Sequence, residues 1–407
     1  MPLHDRMPLI MRNTSSAFYF FLILGFIGLW CSPFVVSCAT GFSIIYFIVS
    51  YKRLTNVHIK RICLVLVLIL LLGLFDFILH GYSSELEAKF LLMIGLFFMM
   101  CSSFVLFNER RAKLIQLALI LSGVVVVINI IALTNYLLDK AHYDALLLQS
   151  KSIPIPNMHH IHFGIINACI IVLLGGLTLY RKFNNPIQIT LSRIMLVIVF
   201  FCFHIFSSRT GMLSFYVGTT SALFAYSIQT GSYRLLLYSS IAIITVLISS
   251  FYWSQSFRNK LDNTIEDYRS WGKGDEINHK SMAMRMEASK MAIQIIKENP
   301  FGVGVEARER VLQKMYVTKR TPLDKKNRLG PHNQFLEYGM KYGWIGIVVL
   351  FLFFLSFIPL INQTFYPFMG LIVLLFTALF FESLLERQVS IYFISLFVPL
   401  FSVLFKK

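Results

Sequence analysis

Residues 62–75 read ICLVLVLILLLGLF, a long apolar run that predicts a helix inside a membrane. The predicted span extends to residue 82, because crossing the hydrocarbon core of a bilayer takes roughly 20 residues. Similar runs recur along the chain of 407 residues, of which 57% are hydrophobic and 14% are charged. Soluble domains are typically about 25% charged. The sequence therefore excludes a soluble globular protein and predicts an all-α, polytopic membrane protein.

Twelve transmembrane helices are predicted when the same requirement is applied to the whole chain. Residues 1–253 hold nine of them, residues 254–338 form one long loop, and residues 339–407 hold the last three. The predicted spans are residues 17–31, 33–51, 62–82, 89–107, 114–138, 161–180, 189–208, 210–228, 233–253, 339–361, 366–383 and 388–405.

The charges of the short connections predict the orientation of these spans. If the amino terminus is cytoplasmic, the Lys- and Arg-rich connections at residues 52–61 and 110–113 lie inside, where basic residues are enriched. Lys406 and Lys407 then also lie inside. Both termini are therefore predicted to be cytoplasmic, and the 254–338 loop periplasmic. Basic residues beside membrane spans give an excess of positive charge for topological reasons, so the net charge of +17 does not by itself indicate nucleic acid, which is not a predicted partner.

No metal or other cofactor is predicted. The six cysteines lie within apolar runs and form no C-x-x-C pair, so they indicate neither a zinc site nor a disulfide framework. His159, His160 and His162 stand close together at the outer edge of a span. Successive helical residues are about 100° apart, however, and no neighbouring Asp or Glu completes a set of ligands. The roles of these three histidines stay open.

Two arginines are candidates for binding an anion. In the long loop, residues 281–298 predict an amphipathic helix that ends at Asn299-Pro300, and Arg285 falls within its apolar face. A guanidinium is costly to bury there without an anion, so Arg285 either joins a structural ion pair or contacts a ligand. Arg209 lies at the outer end of a span. Its alternatives are a ligand contact and an anchor among lipid headgroups.

Gly330-Pro331-His332 precedes a long apolar helix, and proline is well suited to the first helical position. This predicts that His332 lies in the first turn of that helix. There the helix dipole favours a neutral imidazole that accepts a proton, and free backbone N–H groups attract phosphate. The alternative is an interfacial histidine that caps or packs. Asp76 and Glu382, near outer span ends, either pair with basic groups or tune packing, and neither is assigned a role.

The sequence that begins at His332 resembles a known signature. His332-Asn333 is followed by nine residues and then by Gly343-Trp344-Ile345-Gly346. This spacing is similar to the His-(Asn/Ser/Gln)-x9-Gly-x-x-Gly signature of bacterial O-antigen ligases, in which Asn333, Gly343 and Gly346 are the supporting positions. With Gly339, the two glycines are also expected to form a small-residue face for close helix packing.

Together with Arg209, Arg285 and the large loop before the tenth span, this signature makes the chain resemble the O-antigen ligase and polymerase superfamily. The resemblance implies a C-type glycosyltransferase-like fold in the bacterial inner membrane, with its active site at the periplasmic face. It implies a glycan carried on undecaprenyl diphosphate as the donor, and Arg209, Arg285 and His332 as essential residues. On this interpretation His332 is the general base, the two arginines bind the donor diphosphate, and the inverting reaction uses no metal.

Several functions fit this set of residues. A ligase transfers the glycan to a lipid A–core hydroxyl, whereas a polymerase extends the glycan and a protein O-glycosyl ligase modifies a protein. The nine-residue spacing favours the ligase. A flippase or other transporter for lipid-linked polysaccharide is disfavoured, because transporters place charges near the midplane, whereas here they cluster at one face.

Overall fold

The computed structural model describes residues 9–148, 153–180, 182–183, 185–206, 208–253, 255–273 and 276–407. Over these residues the regular structure is helical, and strand-like pairing is limited to single bridges at Ile155–Met158 and Thr364–Lys406. The predicted all-α class is confirmed.

Seventeen α-helices lie within the described residues, and each predicted span overlaps at least one of them. The helices are α1 (Leu9–Cys31), α2 (Pro33–Ser50), α3 (Val57–His80), α4 (Ser84–Glu109), α5 (Leu114–Leu138), α6 (Lys140–Leu148), α7 (His160–Leu179), α8 (Pro186–Phe206), α9 (Arg209–Thr230), α10 (Tyr233–Trp253), α11 (Gln255–Lys273), α12 (Ser281–Glu298), α13 (Ala307–Thr318), α14 (Gln334–Leu355), α15 (Ile358–Gln363), α16 (Tyr366–Phe381) and α17 (Gln388–Leu404).

Length and composition support a membrane crossing for eight segments of the described chain, which are α1 to α5, α7, α8, and α14 continued by α15. The remaining predicted spans depart from a simple crossing in different ways. α16 and α17 are apolar but only 16 and 17 residues long. α10 and α11 are long and apolar enough for a crossing only when they are taken together, and the two helices are bent by 93° at their junction. The chain is thus a multi-pass membrane protein.

α9 packs closely against α7 and α16 through glycines. A Cβ atom on Gly211 would lie 2.8 Å from the carbonyl carbon of Gly164 on α7. A Cβ atom on Gly218 would lie 2.5 Å from the carbonyl oxygen of Gly370 on α16. Small residues allow such close backbone approach between membrane helices. These contacts hold the start of α9, and with it Arg209, beside the start of α7.

The long loop forms a small helical layer of its own. The predicted amphipathic helix is confirmed with the predicted bounds, because α12 covers Ser281–Glu298. Its buried face packs with α13 and with Met340 of α14 into an apolar cluster separate from the main core. This cluster fixes α12, which carries Arg285, against the first turns of α14.

The prediction that Pro331 begins the next helix is wrong. α14 begins at Gln334, and Asn333 is its N-cap, whose side-chain oxygen accepts the backbone N–H groups of Phe335 and Leu336 at 2.9 and 3.0 Å. Asparagine is a preferred N-cap because it satisfies these otherwise unpaired donors. His332 therefore precedes the helix, in left-handed backbone with φ of 47°.

The prediction that Gly343 lies on a helical packing face is also wrong, because α14 is broken at Gly343. Gly343 has φ of 67° and ψ of −153°, and a Cβ atom on it would lie 1.9 Å from the Pro300 carbonyl oxygen. The N–H of Trp344 donates to that oxygen at 3.0 Å, and the N–H of Val303 donates to the Met340 carbonyl at 2.8 Å. The turn after α12 is therefore bound into the break, which couples α12 to the helix that follows His332.

Candidate functional site

Glu382 brings His332 and Arg285 together. His332 Nδ1 lies 3.1 Å from one carboxylate oxygen of Glu382, and an Arg285 guanidinium nitrogen lies 3.6 Å from the other. Arg285 also donates to the backbone carbonyl of Phe381 at 2.9 Å. The histidine comes from the segment before α14, the arginine from α12 and the carboxylate from the residue after α16. Three elements distant in sequence thus converge on one carboxylate.

The carboxyl group of Glu382 is ionised despite its burial. Burial by itself raises the pKa of Glu382, but the hydrogen bond from His332 and the charges of His332 and Arg285 outweigh it and lower the pKa to about 2. Burial lowers the pKa of Arg285, and the charge of Glu382 opposes this effect. The contact suits an imidazole whose Nδ1–H donates to the carboxylate of Glu382.

Arg209 lies on the same side of the molecule, at the first residue of α9. It is close enough to Arg285 and Asp267 for their charges to interact. Lys260 on α11 also lies close enough to Arg209 for the two charges to interact. The structure therefore brings the three predicted residues, Arg209, Arg285 and His332, into one cluster in which basic groups predominate.

The histidines at the start of α7 face this cluster. His159 and His160 have ring centroids 4.3 Å apart, and both are near enough to Arg285 and Glu382 to interact with their charges. His162 lies deeper, with Nδ1 3.3 Å from the Ser390 hydroxyl. In the described part of the chain, no three His, Cys, Asp or Glu side chains are grouped as a metal site would require.

A buried ion network holds the segment that carries Glu382. Glu386 lies 2.8 Å from the ammonium groups of both Lys341 and Lys89. Burial by itself raises the pKa of Glu386, but these two lysines outweigh it and lower the pKa to about 2. A backbone N–H of the same segment donates to Gln334 at 2.7 Å. These contacts fix the segment against α14, and therefore Glu382 beside His332.

Two site residues were not assigned by the sequence. Glu382 stands in the stretch FFESLLERQ between two apolar helices. Acidic residues at such positions are costly unless paired, and this was the available signal. Lys260 lies in a polar helix where lysine is ordinary, so the sequence offered no signal for it. Asn333 and Gly343 are placed in structural roles, as the cap and the break of α14.

Comparison with known proteins agrees with this geometry. A family model described as O-antigen ligase matches residues 194–351. The matched segment contains Arg209, Arg285 and His332, whereas Glu382 lies beyond it. No curated protein matches the chain. The family match confirms the resemblance to O-antigen ligases that was found in the sequence, over the segment that it covers.

Proposed function

We propose that the protein is an O-antigen ligase that transfers a glycan from undecaprenyl diphosphate to a lipid A–core hydroxyl at the periplasmic face of the inner membrane. Members of the matched family are glycosyltransferase-like ligases or polymerases. The observation that carries the proposal is the Glu382 carboxylate, which holds a histidine and an arginine side by side. Displacement of a diphosphate requires such a base and such a cation.

His332 is the proposed general base. Glu382, 3.1 Å from Nδ1, orients the imidazole and leaves Nε2 as the nitrogen for the acceptor proton. As the acceptor oxygen forms its bond to the anomeric carbon of the glycan, its proton passes to Nε2. The ionised carboxylate of Glu382 then stabilises the imidazolium, as the acidic member of a catalytic triad does.

Arg285 and Arg209 are the proposed donor-binding residues. When the bond between the anomeric carbon and the phosphate oxygen breaks, its electron pair stays on the diphosphate. Guanidinium groups stabilise this added charge through paired, charge-assisted hydrogen bonds. The acceptor enters opposite the leaving group, so the configuration at the anomeric carbon inverts. The positive charge that the reaction needs comes from side chains, without a divalent metal.

We expect Glu382→Gln to lower kcat about 10- to 100-fold, the cost of losing a hydrogen bond between charged groups. The neutral amide no longer stabilises the imidazolium and can turn its NH₂ group toward Nδ1. Initial rates at saturating donor and acceptor measure the effect. Glu298→Gln is the matched control, because Glu298 is exposed at the end of α12. Unchanged kcat in the Glu382 variant would contradict the proposed pair.

The proposal requires the 254–338 loop to be periplasmic. The basic short connections support this orientation through the positive-inside rule. In intact cells we expect a membrane-impermeant maleimide to label a cysteine placed at Lys290, which is exposed on α12. A cysteine placed at Lys52, exposed at the inner end of α2, should be labelled only after lysis. The reverse pattern would put the site in the cytoplasm and overturn the mechanism.

Reconstitution tests the function directly. The purified protein is placed in vesicles with glycan on undecaprenyl diphosphate and with lipid A–core, in excess chelator. We expect the glycan to move to the lipid A–core. Growth of the glycan on its carrier would indicate a polymerase, and a change of leaflet alone would indicate a flippase. Activity that appears only when Mg²⁺ or Mn²⁺ is restored would contradict the metal-independent mechanism.

A further inference from the structure

Lys260 is a further basic group at the junction of α8 and α9. Its ammonium group donates to the backbone carbonyl of Phe206, the last residue of α8, at 2.9 Å. Its charge interacts with that of Arg209 and helps to lower the pKa of His160. Lys260 therefore lies where α8, a helix apolar enough to span a membrane, ends, next to an arginine of the proposed site.

α11 places Lys260 rigidly with respect to both arginines. At one end Lys260 is bound to α8. Further along α11, the buried Asp267 accepts the backbone N–H of Met282 at 2.8 Å and so caps the start of α12. Lys280 adds hydrogen bonds to Ser270 at 2.6 Å and to Glu266 at 3.0 Å. One helix thus connects the Arg209 end of the site with the helix that carries Arg285.

The environment of Lys260 suits an anion. Burial and the charge of Arg209 lower the pKa of Lys260 to about 7. A second positive charge beside Arg209 is therefore costly, although Asp267 offsets part of the cost. A bound anion removes that cost, because it pairs with both groups in a region of low dielectric constant.

We propose that Lys260 and Arg209 together bind the lipid-linked phosphate of the donor diphosphate, whereas Arg285 binds the sugar-linked phosphate. This inference rests on the proposed function. Lys260 and Arg209 lie at the end of α8, a helix apolar enough to span a membrane, where a polyprenyl chain that runs beside α8 would meet the phosphate. Arg285 shares a carboxylate with His332, the group that must reach the sugar carbon. The order of the two cationic positions therefore matches the order of lipid, phosphate, phosphate and sugar along the donor.

Binding of two carrier lipids distinguishes the two proposed phosphate positions. Undecaprenyl monophosphate has only the lipid-linked phosphate, and undecaprenyl diphosphate has both. Binding of each is measured in phosphatidylcholine nanodiscs to full-length wild type, Lys260→Met and Arg285→Met. We expect Lys260→Met to weaken both carriers by a similar factor, about 10- to 100-fold for a lost charged hydrogen bond. Arg285→Met should weaken the diphosphate and leave the monophosphate unchanged.

Controls keep the test decisive. Lys273→Met removes an exposed lysine from the same helix and should bind both carriers as wild type does. Lys260→Arg retains the charge and should recover most of the affinity, which guards against a folding defect in Lys260→Met. Unchanged binding by Lys260→Met, or a loss confined to the diphosphate, would overturn the assignment. If phosphatidylglycerol competes with undecaprenyl monophosphate equally well, Lys260 and Arg209 bind a phospholipid headgroup instead. None of these outcomes affects the reconstitution assay, so the proposed function is tested separately.

Discussion

Replacing His332 with alanine is expected to slow glycan transfer by about 10²–10⁴-fold, the range for a positioned general base. The acceptor hydroxyl would then lose its proton to water while the donor stays bound. Because His332 shares Glu382 with Arg285 but contributes no cation to the diphosphate, donor affinity should change little. Single-turnover rates at saturating donor and acceptor, together with donor binding, measure the two effects.

The backbone at His332 requires a careful control. Its φ of 47° favours residues that tolerate left-handed backbone, so alanine can disturb the segment before α14. Asparagine tolerates this conformation and cannot act as a base, so His332→Asn should lose the same activity. His279→Ala is a matched control, because His279 is exposed and also left-handed, with φ of 67°. Near-normal transfer by both His332 variants would make His332 a structural residue.

The sequence predicted the helices well because a helix in a bilayer needs a continuous run of apolar residues, which can be seen in the local composition. Each predicted span coincides with a helix, although α1, α3 and α4 begin before their predicted starts, and the amphipathic pattern at 281–298 gave the bounds of α12. The count of twelve crossings was less secure. α16 and α17 are too short to pass a simple length requirement, and α9 contains Ser and Thr residues that lower its hydropathy.

The errors arose where a long-range contact decides a local conformation. A glycine within an apolar helical sequence is normally part of the helix, and the residues next to Gly343 contain no signal that predicts a break in α14. The break depends on Pro300, whose carbonyl occupies the space that a Cβ would need. The helix start was misplaced for a local reason, since Asn333 outweighs Pro331 as a start signal.

The two arginines and His332 were singled out by their positions in the sequence and given their roles by the resemblance, whereas their convergence required the structure. Arg285 was left between a structural ion pair and a ligand contact, and the structure shows that it has an ion-pair partner in Glu382. The partner also touches His332. An ion pair that includes a candidate base is compatible with ligand binding, because a diphosphate can take over part of the guanidinium. The two alternatives seen in the sequence are therefore not exclusive.

Replacing Arg285 with alanine is expected to lower kcat/KM for the donor by about 10²–10³-fold, the usual cost of removing one fixed donor to a developing anion. Unlike the loss of the base, this change should weaken donor binding as well, because in the proposed mechanism the arginine contacts the diphosphate before and during its departure. It also leaves Glu382 without one of its positive partners. Donor binding and kcat/KM, measured on the same preparations, give both effects.

The comparison with lysine tests the reason for the effect. Arg285→Lys should rescue only part of the activity, because an ammonium group lacks the planar fork that pairs with two phosphate oxygens. It also cannot keep both the Glu382 contact and the 2.9 Å hydrogen bond to the Phe381 carbonyl in the same geometry. Lys290→Ala, at an exposed position of the same helix, should behave as wild type. Full rescue by lysine would mean that charge alone matters at this position. Wild-type donor affinity in Arg285→Ala would mean that the guanidinium serves only to hold Glu382, and the diphosphate would have to be bound by other cations of the cluster.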